Sequence, residues 1–236
     1  MKEVITDWHD PPTQLEILKT PGFFAILHRI TVFTECRIGD YNTALYLVPG
    51  FEDVIGEPLG AGQFYNHSGS VLQLGFALSA SEHPSVAQTV RDIRPQDTTP
   101  LDSVMGLREQ QVLAGLRILD LGCGLRPGFA AAAKKLGAEV CTADRKDLDG
   151  FYRSYLDGHS VVDLASKDAV AKLQADLGED FDIITENIVG SLPGEPWLSL
   201  PQAKDLINIA ENLLASGGYL YARTTEGLQD KLLRKP

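Results

Sequence analysis

The sequence predicts an α/β protein built on a doubly wound, mostly parallel sheet, and three observations predict it. From Arg117 onward, short apolar runs alternate with helix-forming stretches, the pattern of successive strand–helix units rather than of hairpins. The run Ile118 to Ala132, ILDLGCGLRPGFAAA, reads as a buried strand, a glycine turn carrying an acid, and the start of an alanine-rich helix. Three acids, Asp120, Asp144 and Asp163, stand at the ends of successive strands, where an open parallel sheet presents its ligand-binding edge.

The 236 residues, 44% hydrophobic and 22% charged, suit one large globular domain or two small ones. A net charge of -11 works against a nucleic acid held over a broad surface, because phosphate binding depends on neutralisation by Lys and Arg; only a local basic patch is left for such a partner. Cys36, Cys123 and Cys141 lack metal-ligand spacing, so reduced thiols and no metal site are expected. The N-terminus, MKEVITDWHDPP, lacks the apolar run of a signal peptide, and no segment is long and apolar enough to span a bilayer. A cytoplasmic protein with no membrane partner is expected, and the oligomeric state is not legible.

Taken in order, residues 12–19 read as a short helix. Gly22 to Thr34, GFFAILHRITVFT, is rich in aromatic and β-branched residues and reads as a strand or a pair of short ones; after the turn Ile38-Gly39-Asp40, Ala44 to Val48 reads as another. His28 reads as a satisfied strand residue, since a single His without partners at ligand spacing specifies nothing. Gly60 to Ser70 is a glycine-rich loop holding Phe64, Tyr65, Asn66 and His67, open to reading as a surface loop or a substrate-contacting lid. Val71 to Leu78 is apolar and expected to be buried, Pro84 to Ile93 has helical spacing, and RPQDTTP at 94–100 has linker composition. The boundary therefore falls at 100, between an N-terminal β-containing region (1–100) and the core (101–236).

Within the core, Ser103 to Ala114 reads as an amphipathic helix. Strands follow at 117–121, 139–143, 160–163, 181–185 and 219–223. A helix is expected over 128–136, and another opens at Ser166, with Val170, Leu173 and Leu177 on one face and Asp168 in the first turn suiting the helix dipole. The last helix, 201–215, starts at Pro201, buries Leu206, Ala210, Leu213 and Leu214, and stops at Gly217-Gly218.

A strand, glycines and a helix are common to several nucleotide sites, so the acids discriminate. No Gly-Lys-Ser/Thr follows, which excludes a P-loop, and the third glycine of a dinucleotide fingerprint would fall at Pro127. Asp120 at the mouth of the turn repels a pyrophosphate and attracts an ammonium or sulfonium; S-adenosylmethionine carries both. Asp144 is placed to accept from ribose hydroxyls, a demand that dinucleotides share. Asp163 is placed to accept from an adenine amino group, although a helix cap or solvated turn residue explains it equally.

LRILDLGCGLRPGFAAAAKKLGAEVCTAD resembles the first two motifs of class I S-adenosylmethionine-dependent methyltransferases, which are Rossmann-like. FDIITENIV resembles their fourth-strand motif and LLASGGYLYAR their fifth-strand segment, so the likeness covers roughly residues 105–225. It implies that Asp120, Gly122 and Gly124, with Cys123 between the glycines, hold the methionine part, that Asp144 followed by Arg145 holds the ribose, and that Asp163 with Leu164 holds the adenine. The turn departs from the family by one extra residue, Leu125-Arg126-Pro127 preceding Gly128. A second departure is that only TTEGLQDKLLRKP follows the fifth strand, so the family's closing antiparallel strands are expected from elsewhere. Residues 12–49 have the content to supply them by circular permutation, with 44–48 antiparallel beside 219–223; the alternative is an independent N-terminal subdomain.

The acceptor site is expected beyond the fourth strand, at Thr185-Glu186-Asn187-Ile188-Val189-Gly190, which is similar to the Asn-Ile-Leu segment of ribosomal-protein lysine methyltransferases. There Glu186 reads as a base or cation anchor and Asn187 as an acceptor for the substrate amine, or both cap the following turn. Trp197 and Tyr65 are candidate aromatic walls, with burial in a core the default for either. The functional expectation is a methyltransferase acting on a small-molecule or protein acceptor; the alternative is a non-catalytic module that keeps the fold and binds the cofactor or a partner.

Overall fold

The computed structural model describes residues 7–8, 73–78, 80–81, 83–85, 109–124, 127–148, 150–186, 188, 201–222, 225, 228 and 231–236. The chain divides into two compact units, one comprising Met1–Asp10, Leu116–Ala130 and Glu139–Pro236, the other Pro11–Gly115 and Ala131–Ala138.

The first unit holds a seven-stranded sheet with the order β1-β7-β6-β5-β2-β3-β4. The strands are β1 (Asp7–Trp8), β2 (Arg117–Leu121), β3 (Glu139–Asp144), β4 (Gly158–Val161), β5 (Phe181–Glu186), β6 (Leu214–Ala222) and β7 (Lys231–Arg234). From β4 through β6 every pairing is parallel, while β7 and β1 are antiparallel additions at one edge. The fold is thus α/β with a mostly parallel, Rossmann-like sheet. From β2 the chain first builds outward through β3 and β4, then returns to the other side of β2 for β5 and β6. Right-handed crossovers consequently place its connections on both faces, and the reversal leaves a crevice at the carboxyl ends of β2 and β5.

Four helices accompany the strands: α1 (Gly128–Lys135), α2 (Gly150–Tyr155), α3 (Ala169–Leu177) and α4 (Ala203–Leu213). One sheet face, carrying Leu119, Leu121, Cys141, Ala143, Ile184, Leu220 and Ala222, shares a core with Ala169, Leu173 and Leu177 of α3 and Leu206, Ile209, Ala210 and Leu213 of α4. Each fully buried leucine here contributes about 1.5–3 kcal/mol, which outweighs the helices' weak local propensity. At the amino ends of the strands, Arg117 staples three elements. Its guanidinium lies 4.3 Å from the Phe181 ring centroid, pairs with Glu139 at 2.7 Å, and donates to the Leu177 carbonyl at 2.6 Å, satisfying the α3 terminus.

In the second unit residues 73–78 are helical, with Leu74, Phe76, Ala77 and Leu78 buried, so the apolar stretch read at 71–78 is buried where described. Leu113 N–H donates to the Leu136 carbonyl at 2.9 Å, and a turn spans 110–115 where an amphipathic helix was expected to continue to 114. Gly115, at φ +85°, permits that turn. The expected helix at 12–19, the strands at 22–34 and 44–48, His28, the loop at 60–70 and the linker at 94–100 lie outside the described residues.

Several boundaries differ from the sequence reading. Strand β4 starts at Gly158, not 160, because Gly158 pairs with Cys141, and a Cβ there would sit 2.9 Å from Leu177 Cδ2. Helix α3 starts at Ala169 rather than Ser166; two tight turns precede it, Ser166 N–H to Asp163 O and Ala169 N–H to Ser166 O, which makes Asp168 its N-cap rather than a first-turn residue. Helix α4 is not stopped by Gly217-Gly218. It ends at Leu213, Leu214 turns extended, and the two glycines form an irregularity inside β6, between the pairs Phe181↔Leu214 and Ile183↔Tyr219. Gln202 N–H donates to Asp205 Oδ2 at 2.7 Å and caps the other end of α4.

The strand expected from 44–48 beside 219–223 is replaced there by another. Strand β6 has β5 on one edge and β7 on the other, so the antiparallel closing strand comes from Lys231–Arg234 at the C-terminus and no edge is left for 44–48. Strand β7 is short and reads as polar, yet Leu232 and Leu233 are buried. Among the described residues, β1 from the N-terminal region pairs outside it. Helix α2 also escaped the sequence reading, its GFYRSY run being too short for a helical period to emerge.

Gly218 is the backbone contact on which this closure turns. A Cβ there would stand 3.0 Å from the Ala215 and Phe181 carbonyl oxygens and 3.1 Å from that of Asp182, none of which belongs to a movable side chain. Gly218→Ala is expected to lower stability by about 1–3 kcal/mol, read as a shift in denaturant midpoint; an unchanged midpoint would mean that the irregularity in β6 yields freely.

Candidate functional site

The crevice at the strand ends is built from β2 outward. Asp120 is 2% exposed and stands opposite Thr185 of β5, whose Oγ1 donates to Asp120 Oδ1 at 3.2 Å. The parallel register makes this pairing, so an acid at the penultimate position of one strand finds a hydroxyl on the next. Beyond Leu121 the chain turns through Gly122, at φ +71°, and Gly124, at φ +69°, conformations that a side chain at either position would strain. Gly122 N–H donates to the Ala143 carbonyl at 2.8 Å, tying the turn to β3. A Cβ on Gly122 would lie 2.3 Å from Ile188 Cγ1, so the glycine also makes room for the chain after β5.

Asp144, at the end of β3, bridges two loops. Its Oδ2 accepts from Gly124 N–H and its Oδ1 from Lys146 N–H, each at 3.0 Å. Two charge-assisted bonds thus hold the glycine turn against the loop after β3. Cys123 reports the local potential. Its thiol is pushed well above the usual range by desolvation, and then by the carboxylates of Asp120 and Asp144. The sulfur is therefore a neutral thiol under the turn, in a field that favours a cation and disfavours a pyrophosphate.

The remaining predicted residues are placed as follows. Asp163 lies two residues past the end of β4 and is exposed, with Oδ1 accepting from Ala165 N–H at 3.1 Å, an Asx-type turn. Leu164 is 6% exposed and belongs to the core shared with α3 and α4. Arg145 is exposed on the loop after Asp144. Glu186 is fully buried; Oε1 accepts from Ile188 N–H at 2.6 Å and Oε2 from Thr225 N–H at 3.3 Å. The turn-capping role read as its alternative is thus the one its hydrogen bonds display. Asn187, Val189, Gly190, Trp197 and Tyr65 lie outside the described residues. The structure thus brings Asp120, Gly122, Cys123, Gly124 and Asp144 together, and sets Leu164 into the core.

Sequence reasoning passed over Thr142 and His159, and it did not foresee Ile188 packed against Gly122. Thr142 and His159 are register partners on β3 and β4, and His159 Nδ1 lies 2.9 Å from Thr142 Oγ1 while Nε2 lies 3.1 Å from the Lys146 carbonyl. The only signal was a polar residue inside an apolar strand, EVCTA, and its partner was invisible without the register. His159 has its pKa lowered by desolvation first; Arg153 of α2 adds to this, while the Lys146 carbonyl, Asp147 and Asp144 oppose it. Among the described residues no group of three or more His, Cys, Asp or Glu is gathered as a metal cluster, and no helix is long and apolar enough to cross a membrane.

No protein-family model and no curated protein matches the chain. Among solved structures, a coclaurine N-methyltransferase bound to N-methylheliamine and SAH is similar over 89% of this chain, with a TM-score of 0.30 and 14% identity. The chain spans 62% of that protein's length. A likeness at that level carries no argument, and the fold stands on strand order and register.

Two expectations follow from the site geometry. Glu186→Gln leaves one acceptor oxygen for two N–H groups, one part-buried and one buried, and is expected to cost about 1–3 kcal/mol, measured by denaturant midpoint; a variant as stable as the parent would mean Glu186 is not holding the chain at 188 and 225. For His159, the folded state resists the proton, so the unfolded chain takes it up first as pH falls through the ordinary value of 6.5. The stability concerned is complete above that pH and is lost as pH drops toward the lowered value. Midpoints recorded over about pH 5–7.5 should show this slope in the parent and lose that component in His159→Gln.

Proposed function

We propose that the chain is an S-adenosylmethionine-dependent methyltransferase acting on a small-molecule or protein acceptor. The observation that carries this reading is the convergence, at the topological switch of the sheet, of a buried acid (Asp120), a turn with two left-handed glycines, and a carboxylate (Asp144) that grips the turn. The donor set fits the cofactor. A Cβ on Gly124 would meet nothing within 4 Å among the described residues, so its backbone is open to a close approach. A carboxylate has about four lone-pair sites, and the two backbone N–H groups on Asp144 use one on each oxygen, leaving the others for two ribose hydroxyls. Asp120 provides a fixed negative charge, suited to an ammonium or sulfonium and held by Thr185 in a preorganised position.

When bound, S-adenosylmethionine supplies an electrophilic methyl group on sulfur. The chain's own contribution is orientation: the Gly122–Gly124 backbone and Asp120 set the methionine part, and Asp144 with Arg145 sets the ribose. Asp163, two residues beyond β4, is the proposed adenine contact, with Leu164 anchoring that segment in the core. Asn187, directly after β5, is the proposed contact for an acceptor amine. A cytoplasmic setting belongs to the same proposal. Glu186 favours a second reading, a cofactor- or partner-binding module without catalysis, because its buried carboxylate is engaged with two backbone amides.

Calorimetry with S-adenosylmethionine is expected to give a saturable heat that Asp144→Ala weakens by about tenfold to a hundredfold, the loss of charge-assisted hydrogen bonds. Absence of heat with the parent chain would sink the cofactor assignment. With binding established, incorporation of labelled methyl into pools of small molecules and proteins supports the enzyme, and none in any pool supports the module.

A further inference from the structure

His159 is bonded on one side to Thr142 of β3 and on the other to the loop after β3 at Lys146. Its side chain is 1% exposed, although β4 is the edge strand of the sheet. A carbonyl oxygen only accepts, so the 3.1 Å approach of Nε2 to the Lys146 carbonyl requires the proton on Nε2. In the neutral ring Nδ1 is then the acceptor, and Thr142 donates to it at 2.9 Å, in preference to the Gly158 carbonyl at 3.3 Å, which competes for the same hydroxyl proton. The same Thr142 hydroxyl faces the Cys123 thiol of the glycine turn. On the other side, residue 146 is held twice, its carbonyl by His159 and its N–H by Asp144, whose second oxygen holds Gly124. One imidazole thus links Thr142 on β3 to the carbonyl of residue 146, whose N–H leads through Asp144 to Gly124.

We propose that His159 is a positioning residue for a nucleoside ligand. In its neutral Nε2–H form it fixes the loop after β3 so that Asp144 is aimed before the ligand arrives. The nucleoside part of this inference rests on the proposed function; the aiming of Asp144 does not. Asp144 ends β3, but its carboxylate is oriented by the N–H of Lys146 on an exposed loop; ordering that loop at each binding event would cost affinity, and a buried ring that orders it beforehand removes this cost. The groups facing the ring are Arg153 from α2, Asp147 and Asp144 from the loop and strand end, and Thr142 from β3. Desolvation, aided by Arg153, outweighs the two carboxylates and the Lys146 carbonyl and lowers the ring's pKa; Nδ1 accepts in the neutral ring.

The test uses the full chain and two variants, His159→Phe, which keeps bulk without polar atoms, and His159→Gln, which keeps a donor and an acceptor without titrating. Nitrogen chemical shifts of the parent's ring should report the Nε2–H tautomer, and the Nδ1–H tautomer would overturn the proposal. Amide hydrogen exchange in the absence of ligand should speed up at Gly124 and Lys146 by about tenfold or more in His159→Phe. It should return toward the parent in His159→Gln, while the Arg117 amide, bonded to Asp182 at 2.8 Å at the far end of the sheet, stays unchanged in both. Equal exchange at Gly124 and Lys146 in all three proteins overturns the proposal, and so does acceleration in both variants alike. If His159→Phe does not fold, the tautomer and the His159→Gln exchange still decide. For S-adenosylmethionine, affinity should fall about tenfold in His159→Phe and stay within about threefold in His159→Gln. A parent chain that binds no S-adenosylmethionine defeats the nucleoside assignment alone, and the exchange and tautomer readouts continue to judge the aiming of Asp144.

Discussion

The site depends on one carboxylate with two backbone partners. Asp144 accepts from Gly124 and from Lys146, and through these two bonds it sets the distance between the glycine turn after β2 and the loop after β3. Neither loop has regular structure to hold it. A charged acceptor at the end of a central strand is the inexpensive solution, because β3 is itself fixed by five register pairs with β2. Everything beneath follows the same logic: Thr142 and His159 fill the next layer down, and Gly122 is tied to Ala143 on the same strand.

Charge at this edge is deliberate. Asp120 is buried at the end of β2 and carries Thr185 as a donor, and with Asp144 it raises the Cys123 thiol above its usual range. The helix N-terminus after a glycine turn ordinarily attracts anions. Here two acids, one buried beneath the turn and one bonded to its Gly124 amide, place negative charge where an anion would otherwise be drawn. Glu186 shows a different use of a buried acid. Its oxygens hold the backbone at Ile188 and Thr225, so the chain after β5 and the chain after β6 are joined at the same edge, and Ile188 is seated against Gly122.

The parallel core was legible in the sequence because its strands are buried on both faces and therefore read as short, mainly apolar runs without a strict alternation; RILDL, EVCTAD and FDIITE appear within a residue of where they lie. Legibility failed where a residue's role depends on a neighbour remote in sequence. LLASGGYLYA reads as a helix end and a glycine stop, yet the glycines lie inside β6, because Gly218 packs on the carbonyls of Phe181 and Asp182. KLLR carries too few apolar residues to signal a strand, and only the open edge of β6 makes it one. The GHSV strand begins with a glycine and a histidine, turn residues by composition, which Cys141 and Thr142 recruit into the sheet.

The sequence by itself determined the fold class, the glycine turn and the acids at its edge, since burial period, left-handed glycines and strand-end carboxylates are local properties written residue by residue. The tertiary structure alone decided which strand closes the sheet, and with it that the C-terminus rather than residues 44–48 does so. It also decided what each acid does: Asp144 grips the turn, Asp120 takes Thr185, and Glu186 is drawn inward onto two backbone amides. A carboxylate looks the same in any sequence. Its role is set by the donors that the register brings within 3 Å or so of it, and register is a property of the whole sheet.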